Sequence, residues 1–236
     1  MSPVSTFLIG GLAIAAPFGQ PESPPGPAPA ASSFDQRLSQ LDARMAEVRD
    51  VRARFEQSKS TPLLKRPMVS KGRLVGRETS VLWETLEPRR SSMLVSAEAV
   101  KVLYPADRIL ETYPIKDRAR DAAVGPIPRL AALKQHFVVS PLDPASLDPK
   151  APASFIGLLL MPRDEDLKRH IQSVKVLIDD RVPCANRIVI TDPDGEETVM
   201  VFSAVEVNSG VKDSDLELKV PEGTRVTTPG TSPEGK

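Results

Sequence analysis

The chain has 236 residues, enough for one domain with appendages or two very small ones, and enough to bury a hydrophobic core. Its 31 lysines and arginines balance 31 aspartates and glutamates, so the formal net charge is zero. No basic excess directs the chain toward nucleic acid. Cys184 is the only cysteine, which excludes an intrachain disulfide.

An apolar run occupies residues 4–16 and ends in small residues. The step Ala13-Ile14-Ala15 suits signal peptidase, so residues 1–15 are predicted to be a signal peptide that directs the protein to the periplasm. The alternatives are an uncleaved anchor or a misplaced start. Residues 16–33 are rich in proline and alanine and are predicted to form a disordered linker.

A long amphipathic helix is predicted to begin at Phe34. Ser33 and Gln36 fit a capping box, in which the serine hydroxyl and the glutamine side chain satisfy backbone N–H groups of the first turn. Apolar residues then recur at steps of three and four and form one stripe, made of Phe34, Leu38, Leu41, Met45, Val48, Val51 and Phe55. This helix is predicted to lie on a sheet.

Residues 71–105 contain three short apolar segments, GRLVGRE, SVLWETLEP and VKVLYP, each bounded by a turn signal. They predict an antiparallel meander. In the second segment both alternating sets of side chains are largely apolar, so this strand is expected to contact other parts of the protein on both faces. Residues 109–113 are predicted to add a strand.

Residues 128–137 predict a short helix with Leu130, Leu133 and Phe137 on one side, a candidate second lid, and the proline-rich residues 140–152 are predicted to be irregular.

A second meander is predicted at residues 155–160, 173–178, 187–191 and 197–207. The Asp192-Pro193-Asp194-Gly195 step is predicted to be a hairpin turn rather than a calcium loop, because it lacks the alternating ligands of such a loop. Leu216, Leu218 and Val220 alternate with charged residues and predict a final strand. The order helix, meander, helix, meander is an α+β plan.

Several of these patterns, taken in order, resemble the periplasmic outer-membrane lipoprotein carrier family of the LolA/LolB type. Residues 51–57 (VRARFEQ) are similar to its aromatic-x-Ala-x-Phe-x-Gln signature, with Val51 at the aromatic position. Residues 72–74 (GRL), residues 82–84 (LWE) and Pro88 resemble the progression that follows, and residues 220–226 (VPEGTRV) resemble the closing Pro-x-Gly-x-x-Val. The resemblance defines a lipid-binding domain over residues 34–229, followed by a disordered tail at residues 230–236.

The resemblance implies an incomplete antiparallel β-barrel, covered by the long N-terminal helix and a short lid helix, around a hydrophobic cavity for acyl chains. Arg77 is the nearest candidate for the arginine that the family implies as a lid latch. For the strand residues, ordinary core packing is the alternative, because a register slip of one residue reverses the face. The side chains expected to line the cavity are Phe55, Val81, Trp83, Leu94, Val102, Tyr104, Leu133, Phe137, Leu160 and Phe202.

The implied function is that of a monomeric periplasmic carrier that binds lipoprotein acyl chains and moves them toward the outer membrane. Its cargo would be acylated lipoproteins or lipid, its partners membrane-bound donor and acceptor proteins, and no cofactor is expected. The alternative is a LolA-like domain that senses lipid or lipoprotein and has a regulatory role. An enzyme is not expected, because the sequence has no Gly-x-Ser-x-Gly elbow.

Some polar side chains allow other interpretations. Asp166 and His170 stand four residues apart and could hold a metal, but two ligands do not make a site, and an ion pair or solvated face is favoured. Cys184 with His136 or His170 could form a nucleophile pair, which no local signature supports.

A basic cluster is predicted near the start of the first meander. It either contacts lipid headgroups or a partner protein, or forms a solvated edge that discourages strand aggregation. Its members are Lys65, Arg66, Lys71 and Arg73.

Overall fold

The computed structural model of the protein describes residues 29–62, 64–114 and 130–228. Its first part contains one helix and six strands: α1 (Pro29–Ala46), β1 (Asp50–Ser60), β2 (Met68–Arg77), β3 (Ser80–Glu87), β4 (Ser91–Val95), β5 (Ala99–Tyr104) and β6 (Ile109–Pro114). Its second part contains two short helices and six strands: α2 (Leu130–His136), β7 (Phe137–Leu142), β8 (Phe155–Pro162), α3 (Glu165–Lys168), β9 (Ser173–Asp179), β10 (Cys184–Thr191), β11 (Glu197–Val207) and β12 (Arg225–Thr227). Short 3-10 helices lie at Pro144–Ser146 and Asp213–Leu216.

All twelve strands belong to one sheet, in the order β12-β6-β5-β4-β3-β2-β1-β11-β10-β9-β8-β7. The β12–β6 pair is parallel and the other pairs are antiparallel. The sheet is strongly curved and unclosed, since its end strands β12 and β7 do not pair with each other within the described residues. The predicted fold class, an incomplete barrel of the α+β type, is confirmed.

Helices α1 and α2 share one hydrophobic core with the inner face of the sheet. Buried side chains from α1 (Leu38, Leu41 and Met45) and from α2 (Leu130 and Leu133) meet those of the strands there. Each such side chain contributes roughly 1.5–3 kcal/mol when it is fully buried. The sheet and its helices are therefore held together largely by this burial.

Polar contacts fix α1 against the end of β8 and β9. The Arg37 guanidinium donates to the carbonyl oxygens of Phe155, at 3.2 Å, and Ala153, at 3.3 Å. Two turns later, Arg44 donates to the carbonyl oxygen of Asp180. Because both arginines reach the same end of the sheet, the helix can bury its apolar stripe in one orientation only.

The C-terminal segment, residues 208–221, lies against the outer face of β1–β5. Its Val211 side chain is buried, and Asp215 forms an ion pair of 2.7 Å with Arg52 of β1. A groove of about 620 Å³ remains between residues 214–219 of this segment and the outer face of the strands. Its floor includes the buried side chains of Leu82 and Leu103.

The first helix differs from the prediction at both ends. It begins at Pro29, so Ser33 lies within the helix, the capping box is wrong, and residues 29–33 are not a disordered linker. It ends at Ala46, and Val51 and Phe55 lie in β1 instead. The reason is that a spacing of four residues also keeps side chains on one face of a strand, whose period is two.

Two predictions in the second part are also wrong. Leu216, Leu218 and Val220 form no strand, because the free edge of β6 pairs with β12 and the segment before it crosses the outer face of the sheet. Residues 140–142 are not irregular but end β7, where Pro141 is tolerated because β7 is an edge strand. The predicted lid helix is confirmed as α2, except that Phe137 begins β7.

The predicted signal peptide, the tail at residues 230–236 and residues 128–129 of the predicted lid helix lie outside the described residues. Among the described helices, none combines the length and the hydropathy needed to cross a membrane.

Candidate functional site

The inner face of the sheet divides into a filled half and an open half. The filled half lies on β1 and β7–β11 under α1 and α2, and its side chains belong to one buried cluster. The open half lies on β3–β6. There Val95 is buried, but most of the large inward apolar side chains are only half-buried: Val81, Trp83, Met93, Val100, Val102 and Tyr104.

Five of the predicted cavity residues lie in the filled half. They are all at most 7% exposed, and they contact the helices or one another within the core: Phe55, Leu133, Phe137, Leu160 and Phe202. In the structure these side chains form the packed base and the helical cover of the inner face. Their predicted role in lining a cavity for acyl chains stays a prediction.

Four of the predicted cavity residues lie in the open half. Register places Trp83 of β3 opposite Met93 of β4, and Met93 opposite Val102 of β5, so the three side chains form one row across the inner face. Val81 and Tyr104 share that face, two residues away along their strands. Met93 and Val100 were not among the predicted cavity residues, although both alternate with outward residues in their strands.

Trp83 marks the boundary between the two halves. Its ring lies 5.1 Å from that of Phe55, at an interplanar angle of 65°, and 6.0 Å from that of Phe202, at 57°. Such edge-on and tilted pairs are favourable beyond the area that they bury. The indole is therefore fixed on one side by the core, while its other neighbours, Met93 and Val102, are half-buried.

Leu94 does not belong to this face, so its prediction as a cavity residue is wrong. It pairs with Leu82 of β3 and Lys101 of β5, both on the outer face of the sheet. Since Trp83 and Leu82 are adjacent in β3, their side chains point to opposite faces. The apolar character of both faces had concealed this register.

The open half ends in a polar pair on β6. Glu111 lies opposite Val102 on the inner face, and it accepts a hydrogen bond of 2.9 Å from the Tyr113 hydroxyl. This hydrogen bond to Glu111 raises the pKa of the Tyr113 phenol. The apolar row therefore has a carboxylate and a hydroxyl at its edge.

Arg77, the predicted lid latch, lies at the end of β2. Its guanidinium donates to Asp213, at 2.9 Å, and to the carbonyl oxygen of Val211, at 3.5 Å. Within the described residues no side chain of α1 or α2 is among its partners. Arg77 thus connects the sheet to the C-terminal segment, and a latching role stays a prediction.

The side chains considered as metal ligands or nucleophiles lie on or next to α2, α3 and β10. Asp166 forms an ion pair of 3.4 Å with Arg169, and His170 follows the end of α3. His136 lies 3.4 Å from Asp164. Burial raises the pKa of the Cys184 thiol to about 12, so the thiolate needed for nucleophilic attack is not populated at neutral pH. Within the described residues no group of three or more potential metal ligands occurs.

The predicted basic cluster is divided in two. Lys71 pairs with Glu56 at 2.9 Å and Arg73 with Glu84 at 2.6 Å, so these two charges are compensated on the outer face of the sheet. Lys65 and Arg66 lie apart from them, in the turn between β1 and β2.

No family model matches the sequence, and no curated protein matches it. Among solved structures, the fold is similar to that of an uncharacterized conserved protein from Thermus thermophilus, with 11% identity, a TM-score of 0.50, and coverage of 83% of this chain and 99% of that one. Matches with lower TM-scores include a putative outer membrane lipoprotein-sorting protein domain from Vibrio parahaemolyticus (13% identity, TM-score 0.44, 79% of this chain and 97% of that one) and a LolA superfamily protein from Nitrosomonas europaea (11%, 0.43, 78% and 97%). The family that the motifs resemble is thus among the matched structures. At these identities the comparison shows the fold alone.

Proposed function

We propose that this protein binds acyl chains on the open half of its inner face and carries them through the periplasm toward the outer membrane. The main support is the row Trp83, Met93 and Val102, whose apolar side chains stay half-buried beside a filled core. Acylated lipoproteins or lipids fit such a face because acyl binding needs hidden apolar area rather than a nucleophile or a metal. Membrane-bound proteins would deliver and receive the cargo.

The expected free energy of acyl-chain binding suits a carrier. Burial of about twelve methylenes yields about 10 kcal/mol at roughly 0.8 kcal/mol each. Association and ordering cost roughly 4–15 kcal/mol, so the net binding free energy is at most about 6 kcal/mol, which limits the affinity to the moderate range. A face that binds an acyl chain with moderate affinity can also release it.

The test uses Trp83, the only tryptophan, as an energy donor to a dansyl-labelled fatty acid added to the full chain. We expect saturable energy transfer, since the probe would lie beside the Trp83–Met93–Val102 row. Val102→Asp, which places a charge in the row, should weaken binding more than tenfold. The control is Thr112→Asp, because Thr112 lies on the outer face, opposite Lys101.

Equal binding by both variants would place the fatty acid elsewhere, and absence of energy transfer in the unmodified chain would contradict the proposal. Mass spectrometry of lipid that copurifies with the chain would identify the natural cargo. If the bound probe does not pass to acceptor vesicles, the protein binds lipid without carrying it, and the sensing alternative replaces carriage.

A further inference from the structure

The connections β1–β2, β3–β4, β5–β6, β8–β9 and β10–β11 all lie at one end of the sheet. This follows from the antiparallel order, in which the last residue of β1, Ser60, lies opposite the first residue of β11, Glu197, and Thr191 of β10 lies opposite Ser173 of β9. On the other side of β1, Thr85 of β3 lies opposite Ser91 of β4. These connections form a rim that runs from β6 to β8.

Positive and negative charges are concentrated in different parts of the rim, although the formal net charge of the whole chain is zero. Residues 61–67, 87–91 and 104–109 carry five basic and two acidic residues, a net charge of +3. Residues 163–172 and 192–196, at the same end of β8–β11, carry three basic and six acidic residues, a net charge of −3, with histidine counted as neutral. Positive charge is therefore concentrated over β2–β6, the part of the sheet that carries the open half.

We define the basic rim as Lys65, Arg66, Arg89, Arg90 and Arg108. Arg89 donates to both carboxylate oxygens of Asp107, at 2.5 and 2.6 Å, and so joins the β3–β4 turn to the β5–β6 turn. The other four side chains belong to exposed residues and have no carboxylate partner among the described residues.

Exposed apolar side chains accompany these cations. Leu64 is 43% exposed, Met68 is 56% exposed, and Leu86 is 43% exposed. A solvated edge that only discourages aggregation would account for the cations but not for three apolar side chains among them. Cations mixed with exposed apolar groups at a projecting edge are typical of a surface that lies in the headgroup region of a membrane.

We propose that the basic rim docks on an anionic phospholipid surface. The phosphate groups would attract the four uncompensated cations, Leu64 and Met68 would enter the boundary between headgroups and acyl chains, and the acidic half of the rim would be repelled. Since the rim is formed by the turns of β1–β6, docking would bring the open half of the inner face next to the bilayer. The proposal does not depend on acyl binding by that face.

The test is cosedimentation of the full chain with phosphatidylcholine vesicles and with equimolar phosphatidylcholine and phosphatidylglycerol vesicles. We expect preferential binding to the anionic vesicles, decreasing as salt screens the charges. Each cation near an anionic surface changes partitioning by roughly fivefold, so Lys65→Gln combined with Arg66→Gln should weaken binding by roughly 25-fold. Leu64→Ser should weaken binding to both kinds of vesicle.

The matched control is Lys168→Gln combined with Arg169→Gln. It removes the same two charges from exposed neighbours at the same end of the sheet, but over the acidic half. We expect no loss of binding in the control, and the midpoint of thermal unfolding should agree between the two double variants. Any binding by the apolar N-terminal residues is common to all of these chains and cancels in the comparison.

An equal loss in both double variants, or equal binding to neutral and anionic vesicles, would overturn the proposal. Binding to soluble polyglutamate without binding to anionic vesicles would indicate an acidic protein partner and would overturn it as well. Val102→Asp should retain vesicle binding, so failure of the acyl-binding proposal and failure of membrane docking are distinguishable.

Discussion

The buried carboxylate of Asp50 is expected to anchor the C-terminal segment on the sheet. Its side chain, at the start of β1, accepts hydrogen bonds from the Ser209 backbone N–H, at 2.7 Å, the Ser209 hydroxyl, at 3.1 Å, and the Gly210 backbone N–H, at 3.2 Å. Burial acts to raise the pKa of this carboxyl, but the hydrogen bonds from Ser209 and Gly210 outweigh burial and hold the pKa below its ordinary value.

The perturbation is Asp50→Asn, which keeps the shape but removes the charge and turns one acceptor into a donor. A hydrogen bond to a charged group contributes roughly 1.5–3 kcal/mol, and at least one of the three is lost, so we expect a destabilisation of about 2 kcal/mol at pH 7. Because the folded pKa is depressed, the stabilisation is present above the unfolded pKa, near 3.8, and is lost as the pH falls through the folded value.

The assay is urea unfolding of the unmodified chain and Asp50→Asn at pH 7 and at successively lower pH. The difference in unfolding free energy between the two chains should begin to shrink below about pH 4 and continue to shrink as the pH falls through the lower folded pKa, below which both side chains are uncharged. Asp35→Asn, at an exposed position of α1, is the control and should change the free energy by less than about 0.5 kcal/mol. A difference for Asp50→Asn that is no larger than the control, or that is independent of pH, would refute the reasoning.

Two further predictions concern packing and thiol reactivity. A Cβ atom at Gly72 would lie 2.0 Å from the Glu84 carbonyl oxygen and 2.7 Å from the Phe55 ring, so Gly72→Ala should lower the unfolding free energy by about 3 kcal/mol or more in urea titrations. Gly76→Ala meets its nearest neighbour at 3.1 Å and should cost about 1 kcal/mol; equal costs would contradict the geometry. Because burial raises the pKa of Cys184 to about 12, its thiol should react with a disulfide reagent at pH 8 only after unfolding, and rapid reaction in the native protein would show that the site opens.

Strands β2, β3 and β5 of the first meander and β8–β11 of the second could be predicted from the sequence because their patterns are local. Turn signals such as Asp192-Pro193-Asp194-Gly195 separate short apolar segments, and the structure has a hairpin there, in which the Gly195 N–H donates to the Asp192 carbonyl oxygen at 3.1 Å. The end of α1 could not be predicted in this way. Val51 and Phe55 continue the helical stripe, and only the alternation of Val51 and Ala53 with Arg52 and Arg54 indicates a strand.

The sequence also did not indicate which distant segments pair with each other in the sheet. Leu216, Leu218 and Val220 have the alternation of a strand, but a strand also needs a free edge, and β12 occupies the edge of β6. The alternating segment instead crosses the outer face, where Leu218 lines the groove above Leu82. The local sequence does not distinguish an alternating segment that pairs as a strand from one that crosses a face of the sheet. The difference depends on which strand edges and sheet faces the rest of the chain leaves free.

For the candidate site, the sequence likewise did not indicate which face of each strand points inward. In residues 81–86 both alternating sets are largely apolar, so the sequence indicated contact on both faces without indicating which face was inward. In the structure the two sets of side chains lie on opposite faces of the sheet, in different surroundings. Leu82 is buried under the C-terminal segment, whereas Val81 and Trp83 face inward and stay half-buried beside the filled core. The segment that binds Asp50 therefore covers Leu82 on the outer face, whereas the half-buried row of Trp83, Met93 and Val102 lies on the inner face. Loosening that segment by Asp50→Asn should accordingly lower stability without improving binding of the dansyl-labelled fatty acid, because the apolar area that it uncovers lies on the opposite side of the strands.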